Sequence, residues 1–236
     1  YYFSAHDLTG RSLFCRLGLR GGKASDEVWF AYYDGKKELV LKQELFSKNS
    51  LLKVECLEPG KKWNVAFSGE LTDQKDGIPV QTSFQGMFVS ADKIFDFSYD
   101  MNPRPMAEAI AKEKWSRAFF SELSQNDQIH YEQSGKLEGL LKIGGEEQKF
   151  AAPCFRDHSF GKRKWDYMNM HMWLAAVNKE GHTINLSMVS YPAIHEIWVG
   201  NTGLAGKGVV SMLSCQMKTP LRASGKGPDR IDAVLK

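Results

Sequence analysis

The sequence predicts a mainly β protein, built as two antiparallel β-barrel or β-sheet domains with one long connecting helix. Three observations carry this expectation. Through the first hundred residues, short segments rich in β-branched and aromatic residues alternate with turn clusters of Gly, Asp and Lys. A single switch to near-helical spacing follows Asn102-Pro103-Arg104-Pro105, and the strand pattern resumes from residue 129. Strands and helices never alternate as βαβ units, so antiparallel sheets curling toward barrels account for the pattern better than a parallel α/β fold. The expected boundaries are a first β domain over residues 1–103, a helical connection over 104–126 and a second β domain over 127–236.

In the first domain, strands are expected at 12–18, 28–33, 39–46, 51–57, 64–71, 82–89 and 93–99. Asp34-Gly35, Glu58-Pro59-Gly60 and Asp76-Gly77 separate several of them with turn-forming residues. Residue type alternates with period two in Trp63-Asn64-Val65-Ala66-Phe67-Ser68-Gly69 and in Asp96-Phe97-Ser98-Tyr99, which buries one face and wets the other. Met106, Ile110, Trp115, Ala118, Phe119 and Leu123 then predict a helix over 105–123. Pro near its first turn costs no hydrogen bond, and Ser124-Gln125-Asn126-Asp127 supplies a polar exit. Its apolar stripe needs a sheet or barrel mouth to cover. The second domain reads as strands at 129–132, 136–143, 148–151, 167–177, 182–191, 194–200 and 209–217. Residues 222–230 read as a loop, with too little sequence after them to complete a second barrel, so that domain is expected to be incomplete. The chain opens on Tyr1 rather than Met, which points to a processed product or a piece of a longer protein.

Composition narrows the function classes. With 42% hydrophobic and 25% charged residues, the chain has the balance of an ordinary globular protein. Its formal net charge of +3 is too small, and its basic residues too scattered, to argue for nucleic acid, and no nucleic-acid-binding motif is present. No apolar run is long enough for a membrane span. Cys15, Cys56, Cys154 and Cys215 form no CxxC pair and read as reduced thiols, which favours a cytoplasmic setting; the sequon Asn185-Leu186-Ser187 lies inside an expected strand and argues little for secretion. No cofactor is implied, and oligomeric state is not legible.

The densest cluster of chemically capable side chains is Cys154-Phe155-Arg156-Asp157-His158-Ser159-Phe160-Gly161-Lys162-Arg163-Lys164-Trp165. Asp157 could orient His158 or hold it protonated, and Arg156 and Arg163 could bind a carboxylate or anchor a loop. This run, preceded by Tyr131-Glu132-Gln133-Ser134-Gly135-x-x-x-Gly139, resembles the double lipocalin-like (calycin-like) family that includes carotenoid 1,2-hydratase. Animal phosphoenolpyruvate synthase-like proteins resemble it most, through Arg-Asp-His-Ser-Phe-Gly-x-Arg-x-Trp and the later Ser190-Tyr191-Pro192. The resemblance implies two lipocalin-like domains and a pocket for an apolar small molecule. In the hydratase branch, a His and a Trp two residues apart act with a Tyr and an Asp to hydrate an alkene. Here His158 and Phe160 stand at that pair, Phe replaces Trp, and the motif does not place the other two partners. Phosphate-transfer chemistry finds no G-x-x-x-x-G-K-[ST] loop in the chain.

The candidate catalytic residues are therefore His158 and Asp157, and the candidate ligand-binding residues Arg156, Phe160, Arg163, Tyr167, His171, Trp173 and Trp115. His171 and Trp173 share one side of an expected strand with Tyr167, and no third ligand at recognisable spacing makes them a metal site. Set against catalysis is a structural role, in which Asp157, His158 and the arginines form a polar staple closing the barrel. The functional expectation is binding or carriage of a lipid, terpenoid or pigment. The alternatives are a cofactor-free hydratase or isomerase using His158, and an accessory domain of a larger phosphoenolpyruvate synthase-like protein.

Overall fold

Period-two burial runs through the first strands as the sequence alternation requires. Leu13, Cys15 and Leu17 of β2 (Ser12–Gly18) are buried between half-exposed neighbours, and Trp63, Val65 and Phe67 repeat the pattern in β7 (Lys62–Asp73). The structure is a computed structural model describing residues 1–20, 25–124, 128–161, 168–204, 207–218 and 232–235. It divides into two units, one of Tyr1–Ile94 with His130–Ser159, the other of Phe95–Ile129 with Phe160–Lys236.

The remaining strands of the first unit are β1 (Tyr2–His6), β3 (Asp26–Tyr33), β4 (Glu38–Val40), β5 (Leu45–Phe46), β6 (Leu52–Glu58) and β8 (Pro79–Ser90). After β9 (Phe95–Asp96), the chain returns to this unit through two long strands, β10 (Gln128–Ile143) and β11 (Glu146–Gly161). The order β11-β1-β2-β3-β4-β7-β8-β10, with β10 also pairing β11, closes an antiparallel ring; β5 pairs β3, and β6 pairs β7. Closure removes the open edges that an isolated sheet would expose. Aromatic rings fill the interior: Phe30 stacks on Phe67 at 4.0 Å, while Phe84 meets Phe150 and Phe3 meets Phe88 edge-on. Burying each such ring contributes on the order of 2 kcal/mol, so this part of the barrel is a packed core.

The second unit holds an antiparallel meander of β12 (Met170–Val177), β13 (Thr183–Ser190), β14 (Ile197–Leu204) and β15 (Gly208–Ser211), and a separate pair, β16 (Cys215–Lys218) with β17 (Asp232–Leu235). The helical stretch falls where the sequence places it but breaks in two, α1 (Arg104–Ala111) and α2 (Arg117–Leu123). Ser116 is extended and its hydroxyl accepts from the Phe119 amide at 3.0 Å, capping α2. Trp115 Nε1 donates to the Ile110 carbonyl at the end of α1. The break lets Ala109 and Phe119 reach one cluster with Ile194, Ile197 and Val199, which covers the apolar stripe. Asn185 of the sequon is buried in β13. Among the described residues, no helix is long and apolar enough to cross a membrane.

Candidate functional site

The hairpin of β10 and β11 builds the site, and its turn sets the geometry. Gly144 and Gly145 both have positive φ, 57° and 96°, which a two-residue type I′ turn requires and side-chain-bearing residues resist. Counted out from that turn, Tyr131 falls opposite His158, Gln133 opposite Arg156 and Glu132 opposite Asp157, and the hydrogen bonds of the first two pairs agree. The motif, which falls between the strands expected at 148–151 and 167–177, lies within β11, and its alternate residues point to opposite faces.

On the inner face, the row Phe150, Ala152, Cys154 gives way to Arg156 and His158, while Leu141 and Leu137 give way to Gln133 and Tyr131. Arg156 is 1% exposed. Its Nη1 donates to Gln133 Oε1 at 3.1 Å, and Gln133 Nε2 donates to the Gly60 and Asp92 carbonyls. The guanidinium carbon lies 4.2 Å from the Trp63 ring centroid and 5.4 Å from that of Tyr131. Beyond it, His158 Nδ1 and the Tyr131 hydroxyl share a short hydrogen bond. The His158 ring stacks on Tyr1 at 4.2 Å and meets Trp63 edge-on at 6.4 Å. Burial, reinforced by the Tyr1 ammonium and then by the Arg156 guanidinium, pulls the His158 imidazole down to about 4, so it is neutral at neutral pH. Trp63 Nε1 and Arg156 Nε are buried and have no hydrogen-bond partner among the described residues.

On the outer face, His130 bridges two carboxylates. Its Nε2 lies 2.9 Å from Glu132 Oε1 and its Nδ1 3.0 Å from Asp157 Oδ2. Burial disfavours the imidazolium, but the hydrogen bonds to Asp157 and Glu132 outweigh it and raise His130 to about 9. Burial also pushes the Glu132 carboxyl above its usual range. The protonated imidazole thus sits between two acids that the hairpin sets directly opposite each other, a pairing that would otherwise repel. These donor atoms all lie within 4.8 Å of one another, so the same three residues could hold a metal ion.

Of the residues singled out from sequence, His158 and Arg156 come together on the inner face, while the Asp157 carboxylate reaches His130 on the outer face. Phe160, His171, Trp173 and Trp115 belong to the second unit. Phe160 is half-exposed, His171 is exposed, Trp173 Nε1 donates to Asn185 Oδ1, and Trp115 is 66% exposed. Arg163 and Tyr167 lie outside the described residues. Sequence reasoning missed Tyr131, Gln133, Trp63 and His130 as site residues. For three of them the signal was present: a Gly-Gly hairpin turn lets the opposite residue be counted off along β10. Trp63 comes from a remote strand and left no such signal.

No curated protein sequence matches the chain. Two solved structures share its fold. An AttH protein from Nitrosomonas europaea aligns at a TM-score of 0.50 and 9% identity, covering 94% of this chain and 72% of its own. A kievitone hydratase from Nectria haematococca aligns at 0.52 and 10%, covering 100% and 71%. At these identities the likeness is one of fold. The sequence profile of a family described as a domain of unknown function (DUF7064) matches residues 1–212, and the chain belongs to that family.

Proposed function

We propose that the Tyr131–His158 end of the first unit's barrel binds an apolar small molecule and moves a proton on it, as a cofactor-free hydratase or isomerase. The observation that carries this reading is the hydrogen bond between Tyr131 and His158 on the inner face, where the aromatic core gives way to polar groups. A neutral imidazole accepts a proton, and a phenol hydrogen-bonded to it supplies one. In a hydration, Tyr131 gives a proton to one alkene carbon while His158 takes one from the water whose oxygen bonds to the other. One proton leaves the pair and one enters, so its total charge is unchanged. In an isomerisation, the same two groups remove and return a proton at different carbons. The fold shared with a kievitone hydratase is in keeping with this class, although a fold does not carry an activity. Carriage deep in the barrel is less well supported, because Phe3, Phe30, Phe67, Phe84, Phe88 and Phe150 fill that interior.

The test is incubation with apolar alkenes and terpenoids in water labelled with heavy oxygen, read by mass spectrometry and by double-bond position. The wild type should form a labelled alcohol or a shifted isomer. His158→Ala and Tyr131→Phe should each lower turnover at least about 100-fold while ligand still binds. Undiminished turnover in His158→Ala would overturn the mechanism, and binding without any turnover in the wild type would leave a binding protein.

A further inference from the structure

Arg156 is the charged residue of the inner row that makes no ion pair among the described residues. Its partners within the barrel are Gln133 Oε1, the Tyr131 side chain and the Trp63 ring, all neutral, and the Asp157 charge acts on it only from the other face of the strand. The neighbouring carboxylate, Asp157, points to the outer face and is engaged by His130. A guanidinium buried to 1% exposure without an ion-pair partner in contact is strongly disfavoured, because desolvating an ion is repaid only by a well-placed partner. Its Nε donates to nothing among the described residues, and neither does Trp63 Nε1, which belongs to the indole stacked against the same guanidinium. Gln133 cannot turn to serve a ligand, since the Gly60 and Asp92 carbonyls hold its amide.

A carboxylate supplies what this end of the barrel lacks, one negative charge and two acceptor oxygens for two buried N–H groups. An alcohol or ketone supplies only an acceptor. We propose that Arg156 and Trp63 Nε1 anchor the carboxylate of an apolar monocarboxylic acid, a fatty or terpenoid acid, within the barrel of the first unit. This deepens the reading of the Tyr131–His158 end as a ligand site but does not require the proton transfer. The aromatic rings of Tyr1 and Trp63 around His158, beyond the packed core, suit a hydrocarbon body, and the charged end is held by charge-assisted hydrogen bonds.

Calorimetric titration of the whole chain with decanoate and farnesoate, each against its parent alcohol, tests the assignment. The wild type should bind each acid at least about ten-fold more tightly than its alcohol, the margin of a charge-assisted hydrogen bond. Trp63→Phe removes a single N–H from a residue that keeps an aromatic ring, and should weaken acid binding about three-fold or more and alcohol binding by less, narrowing the margin between them. Arg156→Met should abolish the preference and raise the thermal midpoint of the free protein, because it removes a buried charge that makes no ion pair. Equal affinity for acid and alcohol in the wild type, or no measurable binding of either acid, overturns the proposal. So does a preference that survives in Arg156→Met, or a lower midpoint in that variant, which would make the guanidinium a structural plug. Failure of the proton-transfer reading is seen separately, as acid binding retained in a wild type that turns nothing over.

Discussion

Two histidines of one hairpin are driven to opposite protonation states by the face on which they lie. His130, outward between Asp157 and Glu132, is raised to about 9, and His158, inward beside Arg156, is lowered to about 4. A raised histidine contributes stability that is complete below its unfolded value of about 6.5 and is lost as pH climbs through 9. A lowered one contributes stability that is complete above 6.5 and is lost as pH falls through 4. Thermal melts should therefore show a maximum near pH 6.5 with a fall on each side. Between pH 7 and 10 the midpoint should drop by roughly 5 °C, and His130→Gln should remove most of that slope. A wild-type midpoint that is flat to pH 10 would contradict the bridge. These states were not legible in the sequence, where Asp157 stands beside His158 and invites that pairing. In a strand, adjacent side chains point apart, and the partner comes from the strand opposite.

At the scale of elements, close approach and capping decide more than propensity. A Cβ on Gly135 would lie 2.4 Å from the Val89 carbonyl and 2.6 Å from the Phe88 ring, so β10 pairs with β8 at that point only without a side chain. Gly135→Ala should cost roughly 2–3 kcal/mol, measured by denaturant unfolding. In α2, Ser116→Ala removes the hydroxyl that caps Phe119 and should cost about 1 kcal/mol. The strand periods and turn residues were visible locally, which is why most strands of the first unit were placed within a few residues. The helix break was less visible, since Met106 to Leu123 keep a near-helical spacing through it. What interrupts the run is a serine cap and an indole that bonds back to Ile110.

Across the whole molecule, closure of the first unit's barrel buries two of the four cysteines. Cys15 and Cys154 belong to its core, and burial pushes the Cys15 thiol up to about 12 and that of Cys154 upward as well, whereas Cys56 is exposed. A thiol reagent added to native protein should label Cys56 rapidly. Cys15 and Cys154 should react only in denaturant, together and at the rate of barrel opening; rapid labelling of either in native protein would mean the ring is not closed. Such closure depends on pairings between residues far apart in the chain, as when β1 meets β11. The sequence by itself determined the mainly β class, the antiparallel strands, the place of the helical stretch and the polar motif, because alternation and turn chemistry are properties of neighbouring residues. Only the tertiary structure decided that the motif runs inside a strand, that Tyr131 meets His158, and that Trp63 lies over a buried Arg156. Those contacts are set by strand register and ring closure, and no local spacing encodes which distant strand completes the ring.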